Sequence, residues 1–299
     1  MDTHDSSEDR PNRAVHLAAE MAQLCVALAV NWDAVERFLT AFESCLSADS
    51  AVSIDPRSGA IGIMTQGSGQ THAYRVAQFM GDTKLSEPVI EQFLSRVRHF
   101  DAQNISIKAE IDRRGIRELT TYVRQPIGIK VTHACIADAG VDSESVGLME
   151  AVFETLGAPS ATAVATAVTV SGDTVEKVYC SPKSAAGDWG RIRAVGRLAG
   201  LSDAEWAPVD NHRSALSLAG LEVSLGFRGG RAIPGLALAF QSVNPAVVDG
   251  LLATAAERTA ADQLRLLRQQ SDHDRVRIRL VPGGPVGLKA CALHAHANG

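Results

Sequence analysis

Apolar and polar residues alternate along a series of short segments that come in pairs. In 104–112, Ile105, Ile107, Ala109 and Ile111 fall on one face and Ser106, Lys108, Glu110 and Asp112 on the other. The return segment 116–124 sets Leu119, Thr121 and Val123 against Glu118, Thr120, Tyr122 and Arg124. A period of two marks a strand whose faces meet different surroundings. The pattern recurs at 217–227, where Leu221, Val223, Leu225 and Phe227 oppose Glu222, Ser224 and Gly226. It recurs again at 275–281, where Val276, Ile278 and Leu280 oppose Arg275, Arg277 and Arg279.

The predicted hairpins are 51–55 with 59–66, 104–112 with 116–124, 162–170 with 174–181, 217–227 with 232–241, and 275–281 with 286–296. Turns such as Arg113-Arg114-Gly115, Ser171-Gly172-Asp173 and Gly229-Gly230 supply the positive φ that tight hairpins need. The five turns recur every ~53 to 58 residues, which reads as one architectural unit repeated.

Helical patterns fill the gaps. They are predicted at 13–30, from Asn31 through Leu46, at 71–80, 86–99 and 143–156, after Asp188, and over 244–271. Asn31 and Asp188 stand at cap positions, Gly157 and Gly200 at helix ends, and Ser202 to Glu205 has capping-box spacing. Ten antiparallel strands packed on helices leave two open edges unless the sheet closes. Closure turns the polar faces inward around a lumen that can hold a ligand. The sequence therefore predicts an α+β fold, a ten-stranded antiparallel β-barrel of five consecutive αββα units with helices outside. Residues 1–12 are expected to be a disordered lead-in and 13–299 a single barrel domain.

Composition narrows the function. Of 299 residues, 45% are hydrophobic, and the net charge of −5 argues against a nucleic-acid or anionic-membrane partner. No apolar run reaches the ~18 residues that span a bilayer. Met1 to Pro11 lacks the basic and apolar regions of a secretory signal. Five widely spaced cysteines, an odd number with no Cys-x-x-Cys, fit a reducing cytosol, so a cytoplasmic location is expected. There is no Gly-x-Ser-x-Gly elbow, phosphate-binding loop or dinucleotide fingerprint. His294 and His296 share a strand face near Asp272, His273 and Asp274, but read as surface histidines of a terminal strand rather than metal ligands.

The five helix–hairpin units, with Val35-Glu36-Arg37-Phe38-Leu39-Thr40-Ala41-Phe42, Lys177-Val178-Tyr179-Cys180 and Gly287-Leu288-Lys289, make the chain resemble the ABBA aromatic prenyltransferases. The resemblance covers nearly the whole chain from about residue 14. It implies a prenyl diphosphate and an aromatic small molecule as partners, in secondary metabolism. It also implies that Lys289 binds diphosphate and that Lys177 and Tyr179 form a Lys-x-Tyr pair. Tyr122 is then the aromatic of the second return strand. Thr120 stands where that family carries a lysine, with Arg124 on the same face.

Two further positions differ. Gly235 replaces an arginine, and 59–64 carries no charge where the family has an arginine or a metal-binding aspartate. No cofactor is thereby firmly implied, and Mg2+ lacks its usual aspartate. Arg275, Arg277, Arg279, Lys108 and Arg124 are a candidate replacement cradle. The candidate catalytic residues are Glu110, Glu222 and Tyr122, and the candidate substrate-binding residues are Lys108, Arg124, Lys177, Tyr179, Arg277 and Lys289. Two other readings follow from the same lumen. One is a barrel enzyme that has lost the diphosphate site and cyclises or rearranges a natural-product intermediate, using Glu110, Glu118 or Glu222 with Tyr122 or Tyr179. The other is a binding protein without chemistry.

Overall fold

The computed structural model describes residues 10–46, 50–55, 58–183, 188–216, 220–244, 246–248, 250–251, 274–284 and 287–293. The strands follow the predicted pairs: β1 (Ala51–Asp55) with β2 (Ala60–Ser68), β3 (Asn104–Asp112) with β4 (Gly115–Gly128), and β5 (Ser160–Thr169) with β6 (Thr174–Cys180). Next come β7 (Glu222–Arg228), a two-residue β8 (Arg231–Ala232) and β9 (Leu236–Val243), and lastly β10 (Asp274–Leu280) with β11 (Gly287–Leu293). Successive strands pair antiparallel, β6 pairs with β7, and β11 pairs with β1. The sheet thus closes into a ten-stranded barrel, with β8 as a spur on β7.

The fourth hairpin departs from the predicted form. Its return strand starts at Leu236, not at 232. Pro234 has no N–H to give to a ladder, and Gly235 has φ +94°, so the chain bends between β8 and β9. The predicted start of its first strand, 217–219, lies outside the described residues, as does 294–296 of the last strand with His294 and His296.

The helices are α1 (Arg10–Leu28), α2 (Trp32–Ala41), α3 (Gly69–Asp82), α4 (Glu87–His99), α5 (Ile129–Asp138), α6 (Ser143–Leu156), α7 (Trp189–Leu198) and α8 (Ala207–Asp210). The side chains of Asn31, Asp142 and Asp188 accept from the amides of Ala34, Ser145 and Arg191 and start α2, α6 and α7. The Ser202–Glu205 capping box forms over a short 3-10 turn. Helix α1 begins at Arg10, inside the expected lead-in, and residues 1–9 lie outside the described set. Helix α5 was not foreseen, because β-branched Ile129, Val131 and Thr132 make its start read as strand. Most of 244–271 lies outside the described residues, but 246–248 and 250–251 are helical. Among the described residues, no helix is long and apolar enough to cross a membrane.

The main core lies between the outer strand faces and the helices. Ile61, Ile63, Ile105, Ile107 and Ile278 are fully buried there against Phe38, Phe42 and Phe153. Phe38, Phe42 and Phe79 form a ring cluster with centroids 4.9–5.5 Å apart. One ion pair is sealed in this layer. Arg96 of α4 meets Glu176 of β6 at 2.7 Å, and Thr166 and Gln92 donate to the same carboxylate. It satisfies the buried charge and ties α4 to the back of β6.

A side chain at Gly235 has no room. A Cβ there would lie 2.1 Å from the Leu280 carbonyl oxygen, on a backbone already at positive φ. Gly235→Ala is expected to cost about 2–3 kcal/mol, read as a lowered urea midpoint at unchanged slope.

Candidate active site

Inward residues of the strands surround a cavity of about 310 Å³ at the hairpin end of the barrel. Register sets who meets whom. Glu110 pairs with Gly62 and Glu118, Lys108 with Met64 and Thr120, Lys177 with Ala165 and Gly226, and Arg277 with Lys289 and Ala239. The lining holds Lys108, Arg117, Lys177, Arg228, Arg277, Arg279 and Lys289 against Asp55, Glu110 and Glu118. Seven cations against three carboxylates, in a walled cleft, focus a positive potential.

The cations form two groups. In the first, Lys108 Nζ donates to Glu110 Oε1 at 3.0 Å and Lys289 Nζ donates to the same oxygen, while Arg117 lies 3.4 Å from Oε2. The Glu110 side chain is only 7% exposed. Burial alone would raise its pKa, but Lys108 and Lys289 outweigh burial and hold the carboxyl well below the usual range. Lys289 is pushed down by burial and then by the charge of Lys108, with Glu110 opposing. Gly62 makes the arrangement possible. A Cβ there would sit 2.4 Å from both Lys108 Cε and Ser53 Oγ, so the lysine stem crosses β2 over a bare backbone.

The second group is Arg228, Arg277 and Arg279, with Lys177 beside it. Among the described residues, none of the three arginines has a carboxylate within ion-pair distance. Burial, Arg277 and Arg228 all pull the Arg279 pKa down, and Glu118 alone works the other way. Lys177 stands 3.6 Å from Glu118, which also accepts from the Thr120 hydroxyl at 3.1 Å.

Beside the arginines lies a small aromatic floor. Tyr122 and Tyr179 are buried with centroids 5.8 Å apart, packed with Ala163, Ala165 and Met64. The Arg277 guanidinium lies 5.5 Å over the Tyr179 ring and donates to Ser224 Oγ at 2.8 Å. Arg124 lies 5.0 Å over Tyr122. Burial raises the Tyr122 pKa, reinforced by Tyr179. Burial acts upward on Tyr179 too, but Arg277 and Lys177 prevail and lower it.

Lys108, Glu110, Tyr122, Lys177, Arg277 and Lys289 therefore converge on one cavity, with Tyr179 packed behind Tyr122. Tyr179 and two further expected site residues do not line that cavity. Arg124 and Glu222 sit further toward the helix-linked end of β4 and β7, where Glu222 accepts from the Thr162 hydroxyl at 2.7 Å and Arg124 reaches Met64 Sδ at 3.9 Å. The same holds for Arg275 of the candidate cradle. Asp55, Arg117 and Arg228 were missed. A β-bulge, seen as a register shift beside Glu110, brings Arg117 within reach of that carboxylate although alternation assigns it to the other face. Asp55 and Arg228 sit at strand ends, where alternation stops. Among the described residues, no three His, Cys, Asp or Glu side chains are placed to hold a metal. Of the lumen carboxylates, Glu110 is already taken by two ammonium groups.

The depressed Glu110 pKa makes a pH prediction. The group binds protons more weakly folded than unfolded, so its stabilisation is complete above the unfolded value of ~4.3 and erodes as pH falls toward the folded value. Glu110→Gln is expected to lose about 1–3 kcal/mol at pH 7. The gap to wild type should shrink steadily below pH 4 in denaturant titrations across that range.

No protein-family model and no curated protein matches the sequence. Solved structures do. The 5-dimethylallyl tryptophan synthase of Streptomyces coelicolor, in complex with DMASPP and Trp, matches at TM-score 0.64 and 12% identity over 93% of this chain and 94% of that one. AnaPT of Neosartorya fischeri matches at 0.64 and 10% over 87% of each chain. The NotF prenyltransferase matches at 0.67 and 13% over 93% of this chain and 92% of that one. At such low identity the likeness speaks to architecture, and the ring of ten strands with helices outside is the fold of the ABBA-type aromatic prenyltransferases.

Proposed function

We propose that the chain is an aromatic prenyltransferase of secondary metabolism, moving an allylic prenyl group from a prenyl diphosphate to an aromatic small molecule. The observation that carries this reading is the arginine group beside the tyrosine floor, which among the described residues has no carboxylate at ion-pair distance. A diphosphate on Arg228, Arg277 and Arg279, with Lys177 at its edge, meets cations that Glu118 and Glu222 offset only at longer range. Donors fixed in advance favour the leaving group as its negative charge grows. The allylic C1–O bond breaks with its electron pair going to the diphosphate. The Tyr122 ring, which lines the cavity with Tyr179 packed behind it, stabilises the resulting cation and excludes water from it.

The acceptor ring then donates π electrons to C1 and forms the new C–C bond. The proton on that ring carbon must leave for the ring to regain aromaticity. Glu118 is the better placed acceptor, with Lys177 at 3.6 Å and the Thr120 hydroxyl as its partners. Glu110, held ionised by two lysines, is a weak base. The structures that share this fold include a dimethylallyl tryptophan synthase, which makes dimethylallyl diphosphate and indolic rings the first substrates to try.

The alternative, a barrel that has lost the diphosphate site, is favoured by one feature. Gly62 and Gly235 put no side chain into the lumen where the resembled family carries charged ones. Inorganic diphosphate separates the readings. With dimethylallyl or geranyl diphosphate and a panel of indoles and phenols, the expected outcome is a prenylated product with one equivalent of diphosphate released. Arg279→Met should weaken inorganic diphosphate binding ~10-fold or more by calorimetry. A wild type that neither binds diphosphate nor releases it defeats the prenyl-transfer reading.

A further inference from the structure

We infer that Glu110 is an internal anion that occupies the Lys108–Lys289 pair and thereby confines the substrate's diphosphate to the neighbouring arginine group of β7 and β10. The inference rests on the prenyl-diphosphate reading and specifies it. It assigns Lys289 to a structural ion triad, where the family resemblance alone would make it a phosphate ligand.

The geometry is that of a site already filled. One carboxylate oxygen takes hydrogen bonds from both ammonium groups, and the other oxygen faces Arg117. The side chains are 7% exposed for Glu110, 12% for Lys108 and 28% for Lys289. A carboxylate fixed on the barrel wall acts at an effective concentration no dilute ligand matches. Asp55 also faces Lys289, so two carboxylates attend this end of the cavity. Beside them, Glu118 acts on Arg279 and Glu222 on Arg277 only at longer range, and among the described residues no carboxylate stands within ion-pair distance of Arg277, Arg279 or Arg228. A polyanion entering the lumen gains most where the cations hold no carboxylate in direct contact and would have to displace Glu110 to gain the rest.

The arrangement also explains Gly62. A side chain there would meet both the far end of Lys108 and Ser53 Oγ at 2.4 Å, so the lysine could keep its path to Glu110 only by displacing its neighbours. Glu110 is accordingly a positioning residue. It keeps the leaving group in one register, with the prenyl carbon directed at Tyr122, and denies it a second resting place on the lysines.

Wild type and four variants test this by calorimetric titration with inorganic diphosphate at pH 7. Lys289→Met should bind within ~2-fold of wild type, while Arg279→Met loses ~10-fold or more. Glu110→Gln should bind ~5-fold or more tightly, and adding Lys289→Met to it should abolish that gain. In turnover, Glu110→Gln should lower kcat and the donor KM together, the mark of unproductive binding, which a purely structural role would not produce. Loss of affinity in Lys289→Met comparable to that of Arg279→Met overturns the inference, and so does a Glu110→Gln protein with no gain. If the wild type binds no diphosphate, the prenyl-diphosphate reading fails. Glu110→Gln should even then acquire binding through its released lysines, and binding by neither protein overturns this inference as well.

Discussion

Closure of the sheet is the constraint on which everything else rests. The ladder β1–β11 joins the two ends of a five-fold repeat, and β6–β7 joins its third unit to its fourth. Without them, the polar faces of the strands would simply be a solvated surface and the edges would be open to other chains. With them, the same residues become an interior lined by lysine, arginine, glutamate and tyrosine. Apolar burial on the outer face supplies the driving force, through isoleucines and valines pressed against the helices. The fold therefore places its charged residues where a core would otherwise be.

An interior of this kind has to be held open and charged together, which ordinary packing opposes. Two devices do so here. Where lysines converge, a carboxylate from the barrel wall stands between them, and the lumen side of Gly62 is left bare to let one lysine through. Where arginines converge, the Tyr179 ring and the Ser224 hydroxyl receive Arg277, and among the described residues no carboxylate stands at ion-pair distance. The contrast between these two regions, rather than the number of cations, separates a neutralised part of the wall from a receptive one.

Much of this was legible in the sequence. Period-two alternation assigned Lys108, Glu110, Tyr122 and Arg277 to the inward face, because one face of each strand had to meet helices, while Lys177 and Lys289 were singled out by the family resemblance. The even spacing of the turns gave the number of strands. What escaped notice did so for identifiable reasons. Arg117 is reoriented by a bulge, which depends on a pairing partner and leaves no mark in its own segment. Arg124 and Glu222 were rightly placed on the lumen face, but alternation gives no depth along the barrel axis, and they lie beyond the tyrosines. Helix α5 was hidden by β-branched residues whose local preference is overruled by packing on β4 and β5. That Glu110 would claim two lysines at once required knowing that β3 and β11 face each other across β1 and β2, a relation between residues 179 positions apart.

Strand β6 carries a charged residue on each side. Lys177 looks into the cavity, and Glu176, its neighbour in sequence, is locked to Arg96 on the far side. A slip of one residue in the pairing of this strand would present Glu176 to the lumen and drive Lys177 and Tyr179 into an apolar layer of isoleucine and valine. Arg96 would then be left buried without its counter-charge. The ion pair behind the sheet thus acts as an alignment pin. It makes the misaligned barrel costly from both sides at once, and so fixes the angular setting of the lumen face from a place outside the cavity.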